Sequence, residues 1–250
     1  MRWYIIGRKA YYRTRCVVKV LFITLLLVAF SVSVVEARYD RELFIEAAGA
    51  GEPSRLVVID AGHGGEDCGA IGTTGVYEKD LNMQISLEIG EALKSRGYTV
   101  VYTRTEDKLL YTSAENIKGL RKISDLKNRC KIANSYPDAI FISIHMNSYS
   151  EAKYQGLQVY YAESSPESSA LAGKIQTNVR SRLQNDNKRQ IKKGEGIYVL
   201  ENTEPVSVLV ECGFLTNDAE CKKLCEKEYQ KQLSFAIVCG IIEYNEGKVI

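Results

Sequence analysis

Apolar positions recur along this chain in two alternating rhythms. Leu56 to Asp60 is a continuous apolar run of strand length that ends in an acid. The next segment, residues 78 to 96, sets Leu81, Ile85, Ile89 and Leu93 four apart on one helical face before Gly97 stops it. The alternation continues. Tyr98 to Tyr102 reads as strand, Ile117 to Asn134 as helix, Ala139 to Ile144 and Gly156 to Tyr161 as strands, and Leu171 to Leu183 as helix. Ile197 to Leu200 and Val206 to Val210 read as further strands, and Asp218 to Glu243 as one long helix. Strands alternating with helices predict an α/β fold: a single domain with a largely parallel mixed sheet of about six strands, flanked by helices.

The segment before this pattern follows a different logic. Arg2, Arg8, Lys9, Arg13, Arg15 and Lys19 precede an uncharged apolar run from Val20 to Val35, and no acid occurs before Glu36. A basic flank followed by an apolar stretch is the layout of an export signal, and Val35-Glu36-Ala37 offers small residues at a cleavage spacing. The run is also near the lower limit for a tilted membrane anchor. Residues 1–37 are therefore read as a signal peptide or an N-terminal anchor in contact with the membrane, with the basic flank inside. Residues 38–54 contain Ala48-Gly49-Ala50-Gly51-Glu52-Pro53-Ser54, the composition of a linker, and residues 55–250 form the folded domain. The domain is expected to be exported, acting on the outer side of the cytoplasmic membrane or in the wall.

Composition changes this picture in two respects. The net charge of +2 belongs to the leader: residues 1–37 hold six of the 33 basic residues and one of the 31 acids, leaving 27 basic against 30 acidic. A domain without a basic excess is not built for nucleic acid. Six of the seven cysteines lie beyond the leader, which permits disulfides. Cys212, however, sits in an apolar strand, and Cys221 and Cys225 lie one helical turn apart, so packed free thiols are expected.

The whole chain has two histidines, His63 in Asp60-Ala61-Gly62-His63-Gly64-Gly65 and His145 in Ser143-Ile144-His145-Met146-Asn147, both where apolar strands end. In helix-flanked sheets, reactive groups collect beyond the carboxyl ends of the strands. Two neutral imidazoles and one carboxylate are a usual catalytic zinc set, with a fourth position left open. Glu78, at a helix start after the Gly72–Tyr77 turn, is the best-placed carboxylate. Glu211 lies inside Val208-Leu209-Val210-Glu211-Cys212, where an ionised carboxyl needs a positive partner; a partly desolvated carboxylate suits a general base. Asn147 and Arg129 are candidates for contacts to the ligands or the substrate, with ordinary loop and helix-surface roles as the alternative. No Ser-His-Asp arrangement and no phosphate loop occur.

Several of these segments, taken in order, resemble the zinc-dependent N-acetylmuramoyl-L-alanine amidases of the amidase-3 family. They are Ile59-Asp60-Ala61-Gly62-His63-Gly64-Gly65 with Asp67 and Gly69, Glu78-Lys79-Asp80, Thr103-Arg104, Arg129, Ser143-Ile144-His145-Met146-Asn147 and Val210-Glu211-Cys212-Gly213-Phe214. The resemblance implies that His63, Glu78 and His145 bind Zn²⁺ and that Glu211 is catalytic. It further implies that the substrate is peptidoglycan, cut at the amide between N-acetylmuramic acid and L-alanine. A short N-terminal membrane segment without a wall-binding repeat resembles the germination-specific, spore-cortex branch. Glu201 stands where family members often carry a basic residue, which puts substrate contacts there in question. The rival readings are a zinc carboxypeptidase or other peptidase, and a non-catalytic wall- or partner-binding module. The missing wall-binding module and the Gly-rich turn from Gly62 to Gly75, expected to disorder easily, point to an exported lipoprotein that activates the domain.

Overall fold

The computed structural model describes residues 56–247; the leader and linker of the sequence reading lie outside the described residues. Six strands form one sheet: β1 (Leu56–Ala61), β2 (Thr99–Tyr102), β3 (Ile140–Asn147), β4 (Gln158–Tyr161), β5 (Lys192–Lys193) and β6 (Val206–Phe214). Their order is β2-β1-β3-β6-β4-β5, with the first four parallel and β4 antiparallel to β6. The helices are α1 (Glu78–Lys94), α2 (Arg121–Asn134), α3 (Pro166–Arg182), α4 (Tyr198–Glu201), α5 (Asp218–Cys225) and α6 (Lys227–Glu246). The α/β reading with a mixed, largely parallel sheet holds. Among the described residues no helix is long and apolar enough to cross a membrane.

The two-residue period of the strands divides the core. Val57 and Ile59, Ile140, Ile142 and Ile144, and Val208 and Val210 face one way, against α1, α3 and α6. Burying each such side chain stabilises by about 1.5–3 kcal/mol, and this layer is apolar throughout. Val58, Phe141 and Leu209 face the other way, against α2 and α4. On that second face the same parity carries Asp60, Ser143, His145 and Glu211. Toward the carboxyl ends of the strands it turns from apolar to polar, and the candidate site grows out of it.

Four readings of the sequence are corrected. Ile197 to Leu200 is not a strand: Gly196, in the left-handed region at φ 75°, turns the chain, its N–H donates to the Glu201 carboxylate at 2.6 Å, and residues 198–201 close a helical turn. A run of four apolar residues has no period that separates helix from strand. The closing helix is two, broken at Glu226, which is extended (φ −82°, ψ 123°). Helix α2 begins at Arg121 rather than Ile117. The turn from Gly62 to Gly75 is pinned, by bridges between Gly64 and Asp67 and between Ile71 and Tyr77 and by the Gly65 N–H donating to Asp107. The strand β5 was not foreseen. The six described cysteines beyond the leader are free thiols, as expected.

Residues 148–157 connect β3 to β4, the two strands that flank β6. This connection is stitched to the segment after β6: the Tyr149 N–H donates to Thr216 Oγ1, and Asn217 Nδ2 donates to the Ala152 carbonyl.

Candidate metal centre

His63, Glu78 and His145 converge. Each offers one ligand atom, and the three atoms lie within 4.8 Å of one another. His63 Nε2 is 3.3 Å and His145 Nδ1 3.0 Å from Glu78 Oε1, close to the edge of about 3.3 Å spanned by ligands at 2.0–2.1 Å in a tetrahedron. The donor set fits a divalent zinc ion. The backbone makes room for this cluster: a Cβ at Gly62 would stand 2.2 Å from the His145 ring, and one at Gly69, which has φ 66°, 2.5 Å from Glu78 Oε2. His63 itself has φ 61°, a conformation that non-glycine residues avoid and that persists only where the surroundings enforce it.

Those surroundings are polar and buried. Arg129 donates from Nη2 to the His63 carbonyl at 2.7 Å, and from Nη1 to the Ala61 carbonyl and to Asp60 Oδ1. Its Nε donates to Asp125 at 2.8 Å. Asp60 also accepts from Thr103 and Ser143, and Arg104 donates to the carbonyls of Ala61 and Gly62. Burial works against the Asp60 carboxylate, but Arg129 and the two hydroxyls hold it below the usual range. Of the readings given for Arg129, the helix-surface one is corrected: the side chain is 1% exposed and touches the loop that carries His63 through the His63 carbonyl. Asp67 Oδ2 stands 2.9 Å from His63 Nδ1, a charge contact at the ring's other nitrogen.

Glu78 is braced too, accepting the N–H groups of Ala70 and Met146 and the amide of Asn82. Burial works to raise this carboxyl, yet hydrogen bonds and charge from His145 and His63 hold it far below the ordinary range. Burial likewise opposes a charged His63, but Asp67 and Glu78 raise its pKa to about 9.

Glu211 lies beside this cluster, paired across the sheet with His145 on one side and Gln158 on the other. Its side chain opens partly to the cleft, but Oε2 is sealed from solvent and has no hydrogen-bond partner. Burial pushes its pKa up to about 7; His145 and His63 oppose this and the charge of Glu78 adds to it. A carboxyl titrating near neutrality beside a cation cradle can take up a proton and give it back. Asn147, two residues beyond His145, lines a groove of about 310 Å³ together with Gln158, the neighbour of Glu211 across the sheet.

The fold and the cluster define a class: three convergent side chains of the kind that can hold a metal ion, with a carboxyl of raised pKa beside them, at the carboxyl end of a parallel sheet. The profile of the Amidase_3 family, described as N-acetylmuramoyl-L-alanine amidase, matches residues 57–243, and the chain belongs to that family. The germination-specific N-acetylmuramoyl-L-alanine amidase of Bacillus subtilis is 34% identical over 76% of this chain and 79% of its own length. The CwlD amidase of Clostridioides difficile, solved in complex with the GerS lipoprotein, superposes with a TM-score of 0.75 at 36% identity over 78% of this chain and all of that one. An N-acetylmuramoyl-L-alanine amidase from Clostridium difficile 630 does so with 0.68 at 31% identity, over 79% of this chain and all of that one.

Proposed function

We propose that the chain is an exported, zinc-dependent amidase that hydrolyses the bond between N-acetylmuramic acid and L-alanine in peptidoglycan. His63, Glu78 and His145 hold the ion, which supplies a Lewis acid for the scissile carbonyl and the attacking water. Glu211 takes the proton of that water and returns it to the departing alanine nitrogen, serving as base and then acid. The observation that carries this reading is the sealed, unpartnered Glu211 Oε2 beside three convergent ligands, an arrangement costly to a fold that makes no use of it.

Residues 55–250 are the catalytic domain in this reading, residues 38–54 a linker, and residues 1–37 the signal peptide or membrane anchor that places it outside the cytoplasmic membrane. The likeness to the Bacillus germination-specific enzyme supports spore cortex as the wall that is cut. A lipoprotein partner is supported by the complex of the clostridial relative rather than by disorder of the Gly62–Gly75 turn, which is pinned.

The test is to incubate the full-length protein with intact peptidoglycan, with and without chelator, and to analyse the products by mass. The expected result is about one zinc per chain and new free amino ends on L-alanine, lost on chelation. Products in which muramic acid keeps its alanine indicate a peptidase instead, and binding without products a non-catalytic module.

A further inference from the structure

Resting on the amidase reading, we propose that Arg189, with Lys192, reads a free carboxylate on the peptide that leaves, two to three residues from the scissile amide. The placement comes from the sheet. His145, Glu211 and Gln158 form one transverse row over β3, β6 and β4, and Gln158 accepts from Arg189 Nη1 at 2.8 Å. Adjacent strands lie about 4.8 Å apart, so Gln158 is roughly 10 Å from His145 across the sheet. An extended peptide advances about 3.5 Å per residue, and two to three residues cover that span.

The guanidinium is prepared for an anion that the chain does not provide. It stacks on the Phe214 ring at 4.4 Å and on Tyr154 at 5.8 Å, and Nε donates to the Gln155 carbonyl at 2.9 Å. These contacts fix its plane using neutral partners. Among the described residues no carboxylate lies within ion-pair distance of Arg189 or Lys192. Buried Glu220, whose charge Arg189 offsets, is already occupied by the N–H groups of Gly156 and Phe214. Lys192 pairs with Tyr160 between parallel strands, so both side chains stand on the face of Gln158 and Glu211 and line the same groove as Arg189.

A stacked, preoriented Arg with unused donors suits bidentate capture of a carboxylate. The muramoyl side of the scissile bond is uncharged, whereas a stem peptide carries free carboxylates beyond its alanine. Charge therefore assigns the groove to the peptide, and stacking of a sugar on the tyrosines becomes the alternative outcome.

The experiment compares two synthetic muramoyl peptides, one with a free α-carboxylate on the second residue and one with that group amidated. Full-length protein should favour the acid by about 10–100-fold in kcat/KM, the range of a charged hydrogen bond. Arg189→Gln should bring the ratio near one, Arg189→Lys should restore part of it, and Lys192→Ala, at an exposed position, should lower it without disturbing the fold. Equal losses on both peptides, or no preference in the parent protein, overturn the assignment. Binding of the same peptides to full-length Glu211→Gln, followed by anisotropy of a labelled peptide, separates the two readings. Discrimination in binding without hydrolysis by the parent refutes the amidase reading alone. Hydrolysis without discrimination refutes this one alone.

Discussion

Replacing Glu211 by Gln should abolish turnover and yet make the metal-free protein more stable at alkaline pH. The carboxyl carries a raised pKa of about 7 against an ordinary 4.5, so folding disfavours its ionised form. For an acid shifted upward the penalty is small while the group is protonated in both states. It grows as pH rises from the unfolded value and is complete above the folded one. At 1.36 kcal/mol per pKa unit the cost at pH 8 is about 3 kcal/mol, or about 2 after allowing for the cleft-side exposure of the side chain; at pH 5 it is below about 1 kcal/mol. The Gln amide keeps the volume and has no ionised form, so the variant escapes the cost. Thermal unfolding of the chelated proteins should show the variant's melting point raised at pH 8 by roughly 4–8 °C, and by much less at pH 5. The turnover loss, by several orders of magnitude, is measured on the zinc-loaded proteins. A variant that is destabilised, or equally shifted at both pH values, refutes the claim that Glu211 is held at a cost to the fold.

Arg129→Met should destabilise by about 3–5 kcal/mol in urea unfolding, because Asp60 and Asp125 lose the buried cation between them. Gly69→Ala should keep the fold but weaken zinc binding by at least about 10-fold, measured by competition with a chromophoric chelator, since the new methyl meets Glu78 and His63 and φ stays positive. Zinc binding should release close to one proton near neutral pH and tighten as pH rises toward about 9, because His63, raised to that value by Asp67 and Glu78, must lose its proton to ligate. Calorimetry in buffers of different ionisation heat measures that proton. The same raised pKa stabilises the metal-free fold below pH 6.5, and this contribution is lost as pH rises through about 9.

The elements that periodicity made legible are those with a single solution. Helix α1, with apolar residues four apart and a terminal glycine, has no rival reading, and neither do the buried runs of β1, β3 and β6. Ile197 to Leu200 is too short to choose between periods, and the two-residue β5 has no pattern at all. Among the chemical groups, His63, His145 and Glu211 stood out because each follows or interrupts an apolar strand, and Glu78 because it opens a helix after a glycine-rich turn. Arg129, named only as a possible contact, carries no such local mark of burial, because a charged residue on a helix with four lysine and arginine neighbours along the chain reads equally well as surface. The signal lay elsewhere: Asp60 ends an apolar strand just as Glu211 interrupts one and equally demands a cation, while Asp125, one turn before Arg129, orients the guanidinium. Arg189 lies in an irregular stretch, and only the third dimension brings it to Gln158.

The order of the strands has a consequence for how such a domain can diversify. Because β3 and β4 stand on either side of β6, residues 148–157 are obliged to arch over the end of the strand that holds Glu211, as a roof beam spans two walls. Its length and its tyrosines can change without shifting Glu78, Glu211 or either histidine, which hang from other segments. The topology thus puts reactivity and reach on separate stretches of chain, so a lineage can enlarge or narrow what passes beneath the arch while the machinery below stays as it was.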